Sequence, residues 1–364
     1  MHLPTNSRAI FCWALWIIAA SRATALPVEL APATLAGAQQ PQVAISEDGA
    51  VFIAFGRGAE IYVAVSADSG GHFAAPKSIG TLPKLALGMR RGPRIAASGG
   101  ALTITAMNDR DLFAFHSEDA GRTWSAPVKI NTVPGSAGEG LGNLAAGPAG
   151  LLFATWLDLR GHATEIYGAL SRDGGKTWGP NELVYHSPDG HTCECCHPSA
   201  AFNARGDLAV MWRNAVNGSR DLWTAVRPAG ADHFDPPARQ GAGTWKLNGC
   251  PMDGGAVFPQ ATGSFASTWQ REGKVYLSRG PGDEHRLGEG TQPVALTARG
   301  VVHVWWQQGA DLMHAAVGTP GAPTVFAKDA KFASAAVSPK DGAVVVAYER
   351  TVSQRKTVMA DVLP

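Results

Sequence analysis

The residues best equipped for chemistry stand in two short segments, His191-Thr-Cys193-Glu194-Cys195-Cys196-His197-Pro198 and Cys250-Pro-Met252-Asp253-Gly-Gly255. Together they hold four of the chain's five cysteines, with a thioether and two imidazoles beside them. Thiolates, a thioether and imidazole are the ligand set of a soft cation, copper(I) or zinc(II). The candidate metal ligands are therefore Cys193, Cys195, Cys196, Cys250, Met252 and His197. Two other uses stand beside this one: the four thiols as two disulfides, or one of them as a redox-active thiol. Adjacent Cys195 and Cys196 are poor partners for each other, because their side chains diverge. Cys193 or Cys195 would then pair with Cys250.

Arginines form the second set. Arg110, Arg160, Arg213, Arg271 and Arg350 each follow closely on a short apolar run, and Arg94 sits in Gly92-Pro93-Arg94-Ile95-Ala96. A planar guanidinium fork suits carboxylate or phosphate, so these are candidate contacts for a small anionic ligand or an acidic glycan. Arginine also alternates with acid, as in Asp109-Arg110-Asp111, and such charges can pair with each other on a wet surface.

The elements that must position these groups repeat. Ser66-Ala-Asp68-Ser-Gly70-Gly-His-Phe73, Ser117-Glu-Asp119-Ala-Gly121-Arg-Thr-Trp124 and Ser171-Arg-Asp173-Gly-Gly175-Lys-Thr-Trp178 recur about every fifty residues. In each, Ser and Asp can bond nearby amides, Gly supplies positive φ, and the aromatic ring pins the turn to the strands behind it. Each turn closes a unit of three short apolar strands and a weaker fourth. Seven such units are countable, with first strands near 42–45, 94–97, 143–146, 199–202, 256–259, 294–297 and 333–337. This pattern predicts an all-β fold, a β-propeller of four-stranded blades, with seven favoured over six and a β-sandwich as the outside alternative. The seventh unit lacks a fourth strand, and Val28–Pro32 is expected to supply it from the N-terminus and so close the ring. In such a ring the loops entering the first strands meet at one mouth of the central channel. The loops before units four and five carry all four cysteines there.

The turns resemble the Asp-box (BNR) repeat, Ser-x-Asp-x-Gly-x-Thr-Trp, and the chain from residue 41 onward is similar to the sialidase superfamily. Two copies match fully; the first has His72 and Phe73 in place of Thr and Trp. The resemblance implies an arginine clamp on a sugar carboxylate, a Tyr–Glu nucleophile pair and an Asp acid/base. The matching candidates are Arg94 or the recurrent arginines, Tyr348 with Glu349, and Asp109 or Asp111. The Phe/Tyr-Arg-Ile-Pro pattern around the family's first arginine is absent at Arg94, so an unconventional or noncatalytic member is expected. The paired cysteine segments also resemble a pattern in bacterial Asp-box proteins of unassigned role.

Composition bounds the rest. Arg8 precedes an apolar run from Ala9 to Ala20, and Ala23-Thr-Ala25 fits a signal-peptidase site, so 1–25 reads as a secretory signal and 26–364 as one propeller domain. Removing Arg8 and Arg22 leaves 29 basic against 30 acidic residues, a net charge of −1. Near-neutrality argues against nucleic acid or an anionic membrane as partner. No later segment reads as a membrane span. The expectation is a monomeric periplasmic or secreted protein. A disulfide-stiffened protein-binding scaffold remains the alternative to ligand binding and to hydrolysis.

Overall fold

The computed structural model describes residues 26–363, apart from His162 and Pro281; the expected signal sequence lies outside them. Seven four-stranded antiparallel sheets follow one another along the chain. Their first strands are Gln39–Ile45, Arg94–Ser98, Gly142–Ala146, Ser199–Phe202, Ala256–Pro259, Thr291–Ala298 and Ala330–Val337. These strands contact their neighbours all round the ring, blade seven meeting blade one. The architecture is thus the seven-bladed propeller, and the six-bladed option is excluded. No helix among the described residues is long and apolar enough to cross a membrane.

Closure follows the sequence reading in kind and differs in length. Only Val28–Glu29 joins the ladder, antiparallel to Arg355–Leu363. Leu30 N–H then donates to Val358 O at 2.8 Å, and Leu30 and Ala31 are buried.

The cores lie between blades rather than within one centre. Seven clusters of buried apolar residues occur, and each draws on two adjacent blades. The reason is the strand period: alternate residues face opposite sides of a sheet, and each side of a blade meets a neighbour. Second strands are therefore almost continuously apolar, as in Val51–Phe55 and Leu152–Leu157. Trp156, Trp212, Trp269, Trp305 and Trp306 fill these interfaces. They are packing residues, not an exposed stacking platform for sugars.

The three Asp turns share one bonding scheme. Ser66, Ser117 and Ser171 Oγ each accept the Gly N–H four residues on, at 2.9 Å. Asp68, Asp119 and Asp173 each accept the N–H of the residue four further on, at 2.8 to 2.9 Å. The Thr hydroxyls of the second and third turns add bonds of 2.6 and 2.5 Å to their aspartates.

Three first strands open on a bulge that the sequence pattern does not reveal. Gln40, Gln292 and Phe332 take positive φ there, and the register shifts beside each. Several second strands also run further than expected. Asp158, Arg213, Arg271, Glu349 and Arg350 lie within strands, not in the loops that follow them.

Candidate functional site

The cysteine loops are built from backbone anchors. Thr192 N–H donates to Thr164 O at 2.8 Å and Cys193 N–H to Arg213 O at 2.9 Å. The first loop is thereby laid across the end of Leu208–Arg213. The buried Arg213 guanidinium donates in turn to Asp253 O, Arg220 O and Gln270 O at 2.8, 2.5 and 2.9 Å. This draws the second loop against the first. Asp253 is fully buried and accepts N–H groups from Gly255 at 3.2 Å and Gln292 at 2.6 Å. Burial raises its pKa, and the Arg213 charge offsets part of that rise. Gly254 passes so close to blade four that a Cβ there would lie 1.7 Å from His197 O. Glycine is the residue that permits this crossing.

All four cysteine sulfurs of the described residues meet where the loops touch. Cys195 and Cys250 form a disulfide with Cα atoms 6.1 Å apart, joining the entries to blades four and five. Cys193 and Cys196 are free and buried, with Sγ atoms 3.3 Å apart. Cys193 Sγ lies 3.7 Å from Cys195 Sγ, and Cys250 Sγ lies 3.2 Å from Met252 Sδ. The two free thiols are electrostatically unequal. Hydrogen bonding from Cys196 lowers the Cys193 pKa against the upward push of burial, helped by Arg213 and Arg220. Burial raises that of Cys196, although Asp253 N–H points at its sulfur from 3.4 Å. The two shifts run in opposite directions, so Cys193 is the more readily ionised thiol of the pair.

His197 stands apart from this group. Its Nδ1 accepts Gly254 N–H at 3.4 Å, and its Nε2 donates to Gly255 O at 3.2 Å. Both nitrogens are occupied, so His197 offers no lone pair to a metal. Burial and the charges of Arg90 and Arg94 hold its pKa well below the usual value, and the ring is neutral.

The arginines read from the sequence do not form one clamp. Arg160 is bidentate on Asp158 at 2.8 and 2.9 Å and stacks on Tyr167. Arg271 is bidentate on Glu284 at 2.9 and 2.6 Å. Arg110 donates to Gly135 O at 3.1 Å, and Arg213 is held as described. Arg350 lies in the last hairpin, with a buried Nε that has no partner. Arg94 alone of the set faces the channel.

Nor do the acids and tyrosine assemble a hydrolytic centre. Tyr348 has no exposed surface, and it packs between blades six and seven against Phe326, ring centroids 5.9 Å apart. Burial pushes its pKa up to about 12. Glu349 is next in the same strand and so points to the opposite face. It accepts Gln40 N–H and Nε2–H at 2.8 and 2.9 Å. Asp109 pairs with Lys84 at 3.0 Å. Asp111 caps a loop through Asn131 Nδ2 and Gly135 N–H, both at 2.7 Å.

The sequence reading missed Arg90 and Gln292. Arg90 Nε and Nη2 donate to Gln292 Oε1 and O at 2.7 Å, and its Nη1 donates to Ala333 O at 3.0 Å. It thus spans the mouth from blade two to blades six and seven. Its one sequence signal is the turn-rich Gly88-Met-Arg90-Arg-Gly92 directly before Arg94.

No protein-family model matches the chain, and no curated protein matches it. Solved structures do. A Dyadobacter fermentans protein of unknown function is 14% identical with a TM-score of 0.54, covering 93% of this chain and 98% of that one. A PL25 ulvan lyase is 11% identical with a TM-score of 0.55, over 91% and 95%. The NanB sialidase of Streptococcus pneumoniae is 10% identical with a TM-score of 0.52, over 93% and 70%. At these identities the likeness extends to the fold: the chain is a propeller with sialidases and a polysaccharide lyase among its structural neighbours.

Proposed function

We propose that this is an exported propeller that holds one soft metal ion, copper(I) or zinc(II), at the channel mouth. The observation that carries it is the pair of free, buried thiols of Cys193 and Cys196, 3.3 Å apart and beside Cys195. Tetrahedral thiolates at about 2.3 Å from a metal stand roughly 3.8 Å from one another. The Cys193–Cys196 separation of 3.3 Å needs only tenths of an ångström of adjustment. Cys193 and Cys196 would be the anchoring ligands. Cys195, Cys250 and Met252 complete the set in protein whose disulfide is reduced. The oxidised pair itself suits an oxidising compartment, which supports export to the periplasm or beyond. The alternative of hydrolysis on an acidic glycan draws support only from the fold of the neighbours.

The test is elemental analysis with thiol titration on protein purified with and without reductant. The expected result is about one copper or zinc per reduced chain and its loss in the Cys193→Ser, Cys196→Ser double variant. Equal metal content in folded double variant and wild type sinks the proposal.

A further inference from the structure

A second feature lies in the channel itself and involves none of the sulfurs. Arg90, Arg94, Gln42, Asn143, Ser199 and Ser334 line a chamber of about 120 Å³, with neutral His197 at its wall. At ~30 Å³ per liquid water, that is room for a few waters or one small ion.

The polar groups of the chamber are biased toward donation. Ser199 Oγ accepts Val257 N–H at 3.1 Å, and Ser334 Oγ accepts Val43 N–H at 3.2 Å. Asn143 Oδ1 accepts Ala200 N–H at 3.2 Å. In each case an acceptor is spent on the backbone of a neighbouring strand, and the O–H or N–H₂ donors stay free. Arg94, 7% exposed, donates through Nε to Gly142 O at 3.1 Å and through Nη2 to Arg90 O. Its buried Nη1 has no partner. No acidic residue lines the chamber. Burial lowers the pKa of Arg90 to about 10 and that of Arg94 to about 9, and the one charge acting on Arg94 is the repulsive one of Arg90. A buried guanidinium without a counter-charge is costly, and an anion beside it removes that cost.

We infer that the chamber binds one small inorganic anion, of the size of chloride, sulfate or phosphate, on Arg94 Nη1 and the hydroxyl and amide donors of Ser199, Ser334 and Asn143. The anion sits on the propeller axis and ties blades two, three, four and seven together. The site stands whether or not the cysteines bind metal.

The test uses the whole chain exchanged into gluconate, a bulky organic anion, as the reference salt. Melting temperature is followed against added chloride, sulfate and phosphate. One of them should raise it in proportion to the logarithm of concentration above its Kd, by about 4 °C at a hundredfold excess. That rise should vanish in Arg94→Gln. Crystals grown with bromide or with selenate should show an anomalous peak within hydrogen-bonding distance of Arg94 Nη1. This readout needs no variant, so it holds if Arg94→Gln fails to fold. Water alone in the chamber of both crystals overturns the inference, as does a folded Arg94→Gln whose titration matches wild type.

Discussion

Gly254 is where a single missing side chain decides the geometry of the thiol site. The second cysteine loop can lie against the first only because nothing projects toward His197 O. Gly254→Ala must push the backbones apart, which separates Asp253 N–H from Cys196 Sγ and Arg213 from Asp253 O. Overpacking of this kind costs roughly 1–3 kcal/mol, and here the clashing partner is backbone that cannot rotate away. The expected outcome is a loss of at least about 2 kcal/mol in denaturant unfolding, together with weaker metal uptake by reduced protein. Unchanged stability with unchanged uptake would show that the loops do not depend on this contact. The cysteines were legible as a cluster because ring closure brings consecutive blade entries together. Which two would bond was not legible, since Cys193 and Cys195 lie two residues apart and only the loop path assigns Cys250 to Cys195. Arg213 shows the same limit. In sequence it looks like a free cation for a ligand, yet each of its three nitrogens donates to a backbone carbonyl, two of them on distant segments.

At the scale of the element, the Asp turns are the units that repeat most faithfully, and their aspartates give them a pH signature. The Thr123 hydroxyl and amide lower the Asp119 pKa to about 2. Burial pushes Asp173 up, but the Thr177 hydroxyl and amide outweigh it and bring that group to about 2 as well. A carboxyl whose pKa falls on folding stabilises the fold above its ordinary value of 3.8. That contribution fades as pH drops toward 2. Asp119→Asn with Asp173→Asn should therefore melt below wild type at pH 6, with the gap narrowing steadily between pH 4 and pH 2. A gap of constant size across that range would mean that the turns are held by packing of Trp124 and Trp178, not by the carboxylates. These turns were readable because every bond in them is local, within four residues. The bulges at Gln40, Gln292 and Phe332 were not, because a bulge is a relation between strands and leaves no composition of its own.

For the molecule as a whole, the question is what keeps a ring of seven weakly connected sheets closed. Periodicity alone revealed the count, since each blade repeats the same apolar alternation. The channel chamber was hidden, because Arg90 meets Gln292 and Ala333 across 202 and 243 residues. Closure rests on the N-terminal segment laid along Arg355–Leu363, by two kinds of contact. One is apolar: Leu30, 3% exposed, sits in the cluster between blades one and seven. The other is ionic: Arg355 Nη2 bonds Glu29 Oε1 at 2.6 Å, with both side chains partly in water. Magnitudes separate them. A buried leucine truncated to alanine costs roughly 2–5 kcal/mol, whereas a solvent-reached ion pair contributes about 1 kcal/mol or less. Leu30→Ala should thus lower the melting temperature by several degrees and expose the Arg355–Leu363 edge, giving soluble aggregates on size-exclusion chromatography. Arg355→Ala should cost far less, and its cost should shrink further in high salt. The reverse order, with Arg355→Ala the more damaging and Leu30→Ala monomeric, would place the latch of the ring in its ion pair instead of its buried apolar seam.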